Sequence, residues 1–389
     1  MTAKPRIAIV GGGPGGLTLA RILHVHGVDT VVFERDSHAL ERPQGGTLDL
    51  HDDGGLLALD HGRLLDAFAP IARYDDQGTR LYDKKGQLLF ADDDASAGNR
   101  PEVDRTALRD MLLASLPPGS VRWGCQLHQL IDQGDGRWSL ELEHGTEGPF
   151  DLVVGADGTH SRVRPLLSPY KPQYSGLTFV ELGIDDVDRS HPAIAALVGH
   201  GKMGVEADGR SLIVQRNGHA HIRGYAIFRV PLDWPARRFD LASPASVRAG
   251  LLQEFAGFAE NILELFHAAN DHFTARPILA LPVGHYWPHR RGLTLLGDAA
   301  HVMSPFGGDG VNNAMLDAAE LARALIEHAD VDQAIAAYEP PMFARTEPSA
   351  KEAGEAAATF LSHEGLAHQI AIHQGHQAER QALASSLSV

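Results

Sequence analysis

The feature that most constrains this chain lies in its first 34 residues. Arg6–Val10 is a short β-branched apolar run, the pattern of a strand buried on both faces. It leads into Gly11-Gly12-Gly13-Pro14-Gly15-Gly16 and then LTLARILHVHG, where Leu17, Ala20, Leu23 and His24 share one helical face and Gly27 ends the helix. Val28–Glu34 reads as a second buried strand. Strand, glycine turn, helix and strand in so short a span form a βαβ unit, which requires a parallel sheet. In the turn, Gly11 allows the tight bend, Gly13 lets a phosphate approach the backbone, and Gly16 packs helix on strand; Gly15 belongs to the same site. Glu34, with Arg35 beside it, ends the second strand where an acid accepts ribose hydroxyls. An acid suits an adenosine ribose without a 2′-phosphate, so the tightly held nucleotide is FAD or NAD rather than NADP.

Two later segments rejoin this sheet. Asp151–Ala156 reads as a strand running into Asp157-Gly158, and Leu293–Gly297 as a strand ending at Asp298. A glycine loop, Pro305-Phe306-Gly307-Gly308-Asp309-Gly310-Val311-Asn312, follows, and a helix opens near Asn313. Three strand-end sites on one sheet imply a large dinucleotide across its carboxyl edge. Between Leu177 and about Ala280 the texture changes to short alternating segments punctuated by proline, an inserted antiparallel sheet. The length of 389 residues makes two linked domains the first expectation. The formal net charge of −16 disfavours nucleic acid or an anionic membrane as the main ligand. A single cysteine, Cys125, provides no disulfide framework. No apolar run is long enough to span a bilayer and no secretory signal opens the chain, so a cytoplasmic protein is expected. The 22 histidines are scattered, and His363, His368, His373 and His376 lack ligand geometry, so no metal is expected.

These motifs resemble those of the class A flavoprotein monooxygenases, the p-hydroxybenzoate hydroxylase-like family. Within that family, Arg42-Pro43-Gln44-Gly45-Gly46-Thr47-Leu48-Asp49-Leu50-His51, Val103-Asp104-Arg105-Thr106-Ala107-Leu108-Arg109 and the loop Pro305–Asn312 are similar to the tetracycline-inactivating TetX-type enzymes. The resemblance implies an α/β fold: a Rossmann-like FAD-binding domain with a parallel sheet, an antiparallel-sheet substrate domain and a C-terminal bridging helix. The expected parts are 1–170 and 281–345 for FAD, 171–280 with about 72–100 for substrate, and 346–389 for the bridge. It implies bound FAD, with NADPH as a transient reductant because no second glycine fingerprint is present. Glu34 would hold the ribose, and Asp49, Arg105 and Asp298 would contact FAD. Asp157, Gly308, Gly310, Val311 and Asn312 would complete the site, and Arg42 would meet NADPH. A flavin C4a-hydroperoxide would carry the chemistry, so no catalytic side chain is assigned. Leu182 stands where the family places a substrate-contacting glutamine, with Arg210 nearby and Pro305, Phe306 and Gly307 also facing substrate. Asp309 stands where glutamine is more usual. The expected partners are molecular oxygen and an aromatic or polycyclic small molecule, acted on by a monomer. The alternatives are a hydroxylase of another phenolic or polyketide-like metabolite, or a non-oxygenating flavoprotein redox module. The Trp-x-Trp-x-Ile-Pro signature of flavin halogenases is absent.

Overall fold

The computed structural model describes residues 4–41, 45–93, 100–362 and 365–387, and the chain forms two compact units. The first comprises Met1–Ile71, Arg105–Gln173 and Leu279–Glu355. Its centre is a five-stranded parallel sheet in the order Leu293–Leu295, Leu152–Gly155, Ile7–Val10, Thr30–Phe33, Val121–Arg122. Ile7 pairs with Leu152 on one side and Thr30 on the other. Helices cover both faces of such a sheet, which is why its inner strands are uniformly apolar. The helix Pro14–Val25 buries Leu17, Leu19, Ala20 and Leu23, and packs against the helix Gly310–Glu327. His24 is exposed and contributes nothing to that core. Gly27, at φ +70°, turns the chain out of the helix.

A second sheet in this unit, a meander of Leu127–Asp132, Trp138–Leu142 and Gly145–Phe150, has no counterpart in the sequence reading. It is anchored by Trp138, whose indole N–H donates to the Arg291 carbonyl at 3.0 Å beneath the Arg290 guanidinium, 4.6 Å from the ring.

The helix that enters the segment 346–389 begins well before it. One helix runs Val331–Thr359 through Pro340, Pro341 and Pro348, and the boundary between the units falls inside it at Glu355/Ala356. Proline normally ends a helix because it removes an N–H and clashes with the preceding turn. Here buried tertiary bonds hold the turn before the proline pair: Glu339 accepts from the Trp287 indole and the Thr294 hydroxyl, each at 2.8 Å, and Tyr338 donates to the Leu295 carbonyl at 3.0 Å.

The second unit comprises Ala72–Asp104, Tyr174–Ile278 and Ala356–Val389. Its seven-stranded sheet has the order Thr274–Ala280, Gln173–Ile184, Ile222–Arg229, Arg210–Arg216, Gly201–Ala207, Gly78–Tyr82, Leu88–Asp92. The pairings are antiparallel as expected, except that Gly201–Ala207 and Gly78–Tyr82 pair in parallel. The intervening chain is long enough for the crossover that a parallel pair needs. Strand alternation separates two faces. Val180, Leu182, Ile184, Leu212, Val214 and Phe228 point into a core with Phe255, Leu265 and Phe266 of the covering helices. Phe179, Glu181 and Tyr225 point to the opposite face.

Candidate cofactor site

The glycine turn is built by close approach. Gly11 sits at φ +114°, and a Cβ there would lie 2.2 Å from the Ala156 carbonyl oxygen. At Gly16 a Cβ would lie 2.2 Å from the Gly11 oxygen, so strand and helix touch only because both residues are glycine. Gly13 differs: a Cβ there would meet nothing within 4 Å. The helix starting at Pro14 has no side-chain cap, so its first-turn N–H groups are available to an anion. Glu34 is 5% exposed and accepts the Gly12 N–H at 2.6 Å and the Asp36 N–H at 3.0 Å. Arg35 and Arg105 are exposed and make no ion pair among the described residues. Arg42 lies outside the described residues.

At the next strand end, one Asp157 oxygen accepts the Arg162 N–H at 2.7 Å, while the other, Oδ1, is buried without a partner. Burial pushes this carboxyl above its usual range, against its bonds to Ser161 and Arg162. A buried arginine, Arg164, donates to the Thr159 carbonyl at 2.6 Å and the Ala299 carbonyl at 3.0 Å, tying the loop after Asp157 to the loop at Asp298. The sequence reading assigned Arg164 no role, since Ser161-Arg162-Val163-Arg164 does not reveal which arginine turns inward. Asp298 opens a short helix, Asp298–His301, and is itself exposed; the Thr159 hydroxyl lies 3.4 Å from its Oδ2.

Behind Asp298 stands a network that sequence reasoning also missed. Asp317, fully buried, accepts the Gly297 N–H at 2.8 Å, contacts His301 Nε2 at 2.6 Å and pairs with Arg345 at 2.6 Å. Burial alone would raise its pKa, but His301 and Arg345 outweigh it and hold the carboxyl below the usual range. Gly297 is at φ +58°, so this carboxylate fixes the left-handed bend that aims Asp298.

Gly308 is left-handed at φ +76° and follows the single turn Pro305–Gly307, in which Pro305 is exposed and Phe306 half-buried. The helix Gly310–Glu327 then begins without a side-chain cap, and space is open at Gly310 and beside half-buried Val311. Asn312 corrects its expectation in part. Its side chain is 4% exposed and fully engaged: Oδ1 accepts the His51 N–H at 2.9 Å and the Gly55 N–H at 3.0 Å, and Nδ2 donates to the Asp49 carbonyl at 3.0 Å. Its backbone N–H, in the first turn of the helix, remains for a ligand. The Asp49 carboxylate is half-exposed beside the same helix start.

In the second unit, the assignment of Leu182 and Arg210 to substrate is corrected. Leu182 is 0% exposed on the helix-covered face and packs over Gly224. Arg210 shares that face, where it pairs with Glu254 at 2.6 Å and lies 5.7 Å from the Phe228 ring, pinning a covering helix. The opposite face carries instead Phe179 and Tyr225, rings 5.8 Å apart, and Glu181, which is buried between Arg223 at 2.7 Å and Arg276 at 2.5 Å. The residue beside Leu182, not Leu182 itself, points outward because strand neighbours alternate.

The first unit therefore offers an uncapped helix start at an open glycine, a ribose-type acid, an unpartnered buried carboxylate oxygen, exposed guanidinium groups and a second open helix start. This donor and acceptor set fits a flavin dinucleotide. No group of three or more His, Cys, Asp or Glu among the described residues could hold a metal ion. No helix is long and apolar enough to cross a membrane, among the described residues.

Comparison with known proteins agrees with this geometry. Residues 4–224 and 284–345 match the FAD binding domain family, FAD_binding_3. Monooxygenase penA of Penicillium thymicola is 31% identical over 379 residues, covering 83% of this chain and 85% of that protein. Among solved structures, Klebsiella pneumoniae HpxO complexed with FAD and uric acid superposes with a TM-score of 0.79 at 20% identity, over 98% of this chain and 94% of that one. The tetracycline destructase Tet(51) superposes with a TM-score of 0.70 at 21% identity, over 95% and 96% of the two chains. The chain belongs to the FAD-binding family of class A flavoprotein monooxygenases. It is an FAD-dependent monooxygenase, with the parallel-sheet FAD-binding fold of that family.

Proposed function

We propose that this monooxygenase takes its electrons from NADPH and hydroxylates an electron-rich aromatic or polycyclic small molecule, tetracycline-type antibiotics among its substrates. The observation that carries this reading is the sheet face of the second unit opposite the Phe255–Phe266 core, with the rings of Phe179 and Tyr225 5.8 Å apart next to the buried Glu181 and its two arginines, Arg223 and Arg276. Aromatic side chains bury the faces of a fused ring system, and guanidinium groups donate to its oxygen substituents. FAD, when bound and reduced, supplies the oxygen-activating chemistry. The chain's residues bind and orient. The turn Gly11–Gly16 and the helix start at Pro14 receive the pyrophosphate, with Gly13 giving access. Glu34 takes the ribose, and Arg35 and Arg105 offset phosphate charge in an acidic protein. Asp49, Asp157 and Asp298 meet polar groups of the cofactor, and Gly308, Gly310 and Val311 face it through the backbone. Arg42 meets NADPH, and Pro305, Phe306 and Gly307 border the substrate.

The segment Gly45–His51 and the loop Pro305–Asn312 support the tetracycline arm, as does the fold shared with Tet(51). A second reading, hydroxylation of another phenolic or polyketide-like metabolite, is favoured by the 31% identity with monooxygenase penA. Incubation with NADPH, oxygen and tetracycline separates them. A product heavier by one oxygen atom supports the first reading; NADPH consumption that yields only hydrogen peroxide transfers the assignment to the second.

A further inference from the structure

Taking a guanidinium out of water is unfavourable unless its hydrogen bonds are met, so a buried arginine is weak support for stability alone. Arg109, on the helix Arg105–Ala114, is 2% exposed. Its Nη1 donates to the Ala39 carbonyl at 3.0 Å and its Nη2 to Asp36 Oδ2 at 3.3 Å, while Nε is buried without a partner. The same guanidinium lies 5.4 Å from the ring of Trp123. These contacts converge on the two stretches of chain that frame Glu34. Following it, Asp36 gives its N–H to the Glu34 carboxylate at 3.0 Å, and the Asp36 carbonyl accepts the Gly124 N–H at 2.7 Å. Beside it, the Arg122 carbonyl accepts the Glu34 N–H at 2.9 Å and the Glu34 carbonyl accepts the Cys125 N–H at 2.8 Å, so Trp123 lies between the residues bonded to the Glu34 main chain. One buried cation touches both flanks of the acid.

We propose that Arg109 is a positioning residue for the adenosine end of FAD. By tying Asp36 and Ala39 to Trp123, it holds Glu34 in the orientation that meets the ribose. The inference rests on the reading that Glu34 takes the ribose. The direction of the Glu34 carboxylate depends on the Asp36 N–H, and that N–H follows whatever fixes the Asp36 peptide. Arg109 reinforces the Gly124 bond from the other side, through the Asp36 side chain and the Ala39 carbonyl. A guanidinium makes both contacts at once in a fixed fork; the point charge of a lysine reproduces them only in part. Order set before the ligand arrives lowers the entropy lost on binding, so removing Arg109 appears as weaker affinity for the adenosine part of the cofactor.

The test is titration of the apoprotein with FAD and, separately, with ADP, which carries the adenosine ribose and pyrophosphate without the flavin. Wild type, Arg109→Met, Arg109→Lys, Glu34→Ala and the double variant Glu34→Ala/Arg109→Met are compared. Arg109→Met should weaken both ligands by the same factor, about tenfold, and Arg109→Lys by about threefold. In the Glu34→Ala background, Arg109→Met should weaken binding no further, because the group it positions is gone. A residue that merely supports the fold weakens binding by the same factor in both backgrounds, and that additivity overturns the proposal. Unchanged affinity in Arg109→Met overturns it too, as does weaker FAD binding with ADP unaffected. If Arg109→Met does not fold, Arg109→Lys in the two backgrounds makes the same comparison. Glu34→Ala that binds FAD as tightly as wild type overturns the ribose reading itself, a result distinct from these.

Discussion

Glu34 accepts the N–H of Gly12 at 2.6 Å, so the end of the second strand is bonded to the middle of the glycine turn. The acid is buried, and its other oxygen takes the Asp36 N–H. Its carboxylate is thus oriented before any ribose arrives, which reduces the ordering cost of binding. Glu34→Ala should weaken FAD binding by about 10–100-fold, the range expected for a charge-assisted hydrogen bond. Equilibrium titration of the apoprotein measures it, and FMN should bind equally poorly to wild type and variant because it lacks the adenosine ribose.

Asp317→Ala should be among the most destabilising single changes in the first unit. It leaves the buried Gly297 N–H without its acceptor and His301 without its partner, while Arg345 keeps Glu320 at 2.9 Å, so the cost should be about 2–4 kcal/mol. Because the folded pKa of Asp317 lies below its ordinary 3.8, the carboxylate contributes stability above that value, and the contribution is lost as pH falls through the folded pKa. Urea unfolding of wild type and variant should converge at strongly acidic pH and differ at neutral pH.

Glu206 predicts the opposite slope. It is 7% exposed on the strand Gly201–Ala207, where it accepts the Leu361 N–H at 3.1 Å and the Gln369 amide at 2.8 Å. Burial raises its pKa from 4.5 to about 7, only partly opposed by those two donors. The folded state thus favours the protonated form, and stability should decline as pH rises from about 4.5 to about 7, levelling above. Thermal melts of Glu206→Gln across this interval should lack that component of the slope. An identical slope in wild type and variant would show that another group is responsible.

Leu182→Gln tests the corrected substrate face. Burying an amide in the core formed with Val180, Ile184 and Phe228 should cost about 2–5 kcal/mol and leave substrate coupling unimproved. Tyr225→Ala, on the outward face, should instead raise the substrate KM by about tenfold while shifting the melting temperature far less. Steady-state kinetics with calorimetry distinguishes the two outcomes.

The first βαβ unit was legible because its signals are local: an apolar strand, glycines at fixed offsets and a terminal acid. The strands leading to Asp157 and Asp298 were legible for the same reason. What stayed hidden depends on partners distant in sequence. Arg164 and Arg162 are two residues apart, and only the carbonyls of Thr159 and Ala299 select which of them is buried. Asp317 reads as an ordinary helical residue until His301 and Arg345 close on it. Leu182 failed by a single step of strand register, which exchanges the two faces of a sheet. The three-stranded meander was missed because Gly134, Gly136 and Gly145 mark its turns while its strands lack strict alternation.

The central claim is oxygen insertion by a flavin enzyme, and isotope labelling tests it most directly. The holoenzyme is incubated with NADPH, ¹⁸O₂ and tetracycline or a panel of phenolic polycyclic compounds, and products are weighed by mass spectrometry. The account predicts one ¹⁸O atom in the product, one in water and one NADPH consumed per turnover. A product whose added oxygen comes from solvent, or NADPH oxidation that returns all the label as hydrogen peroxide with every compound, would contradict it.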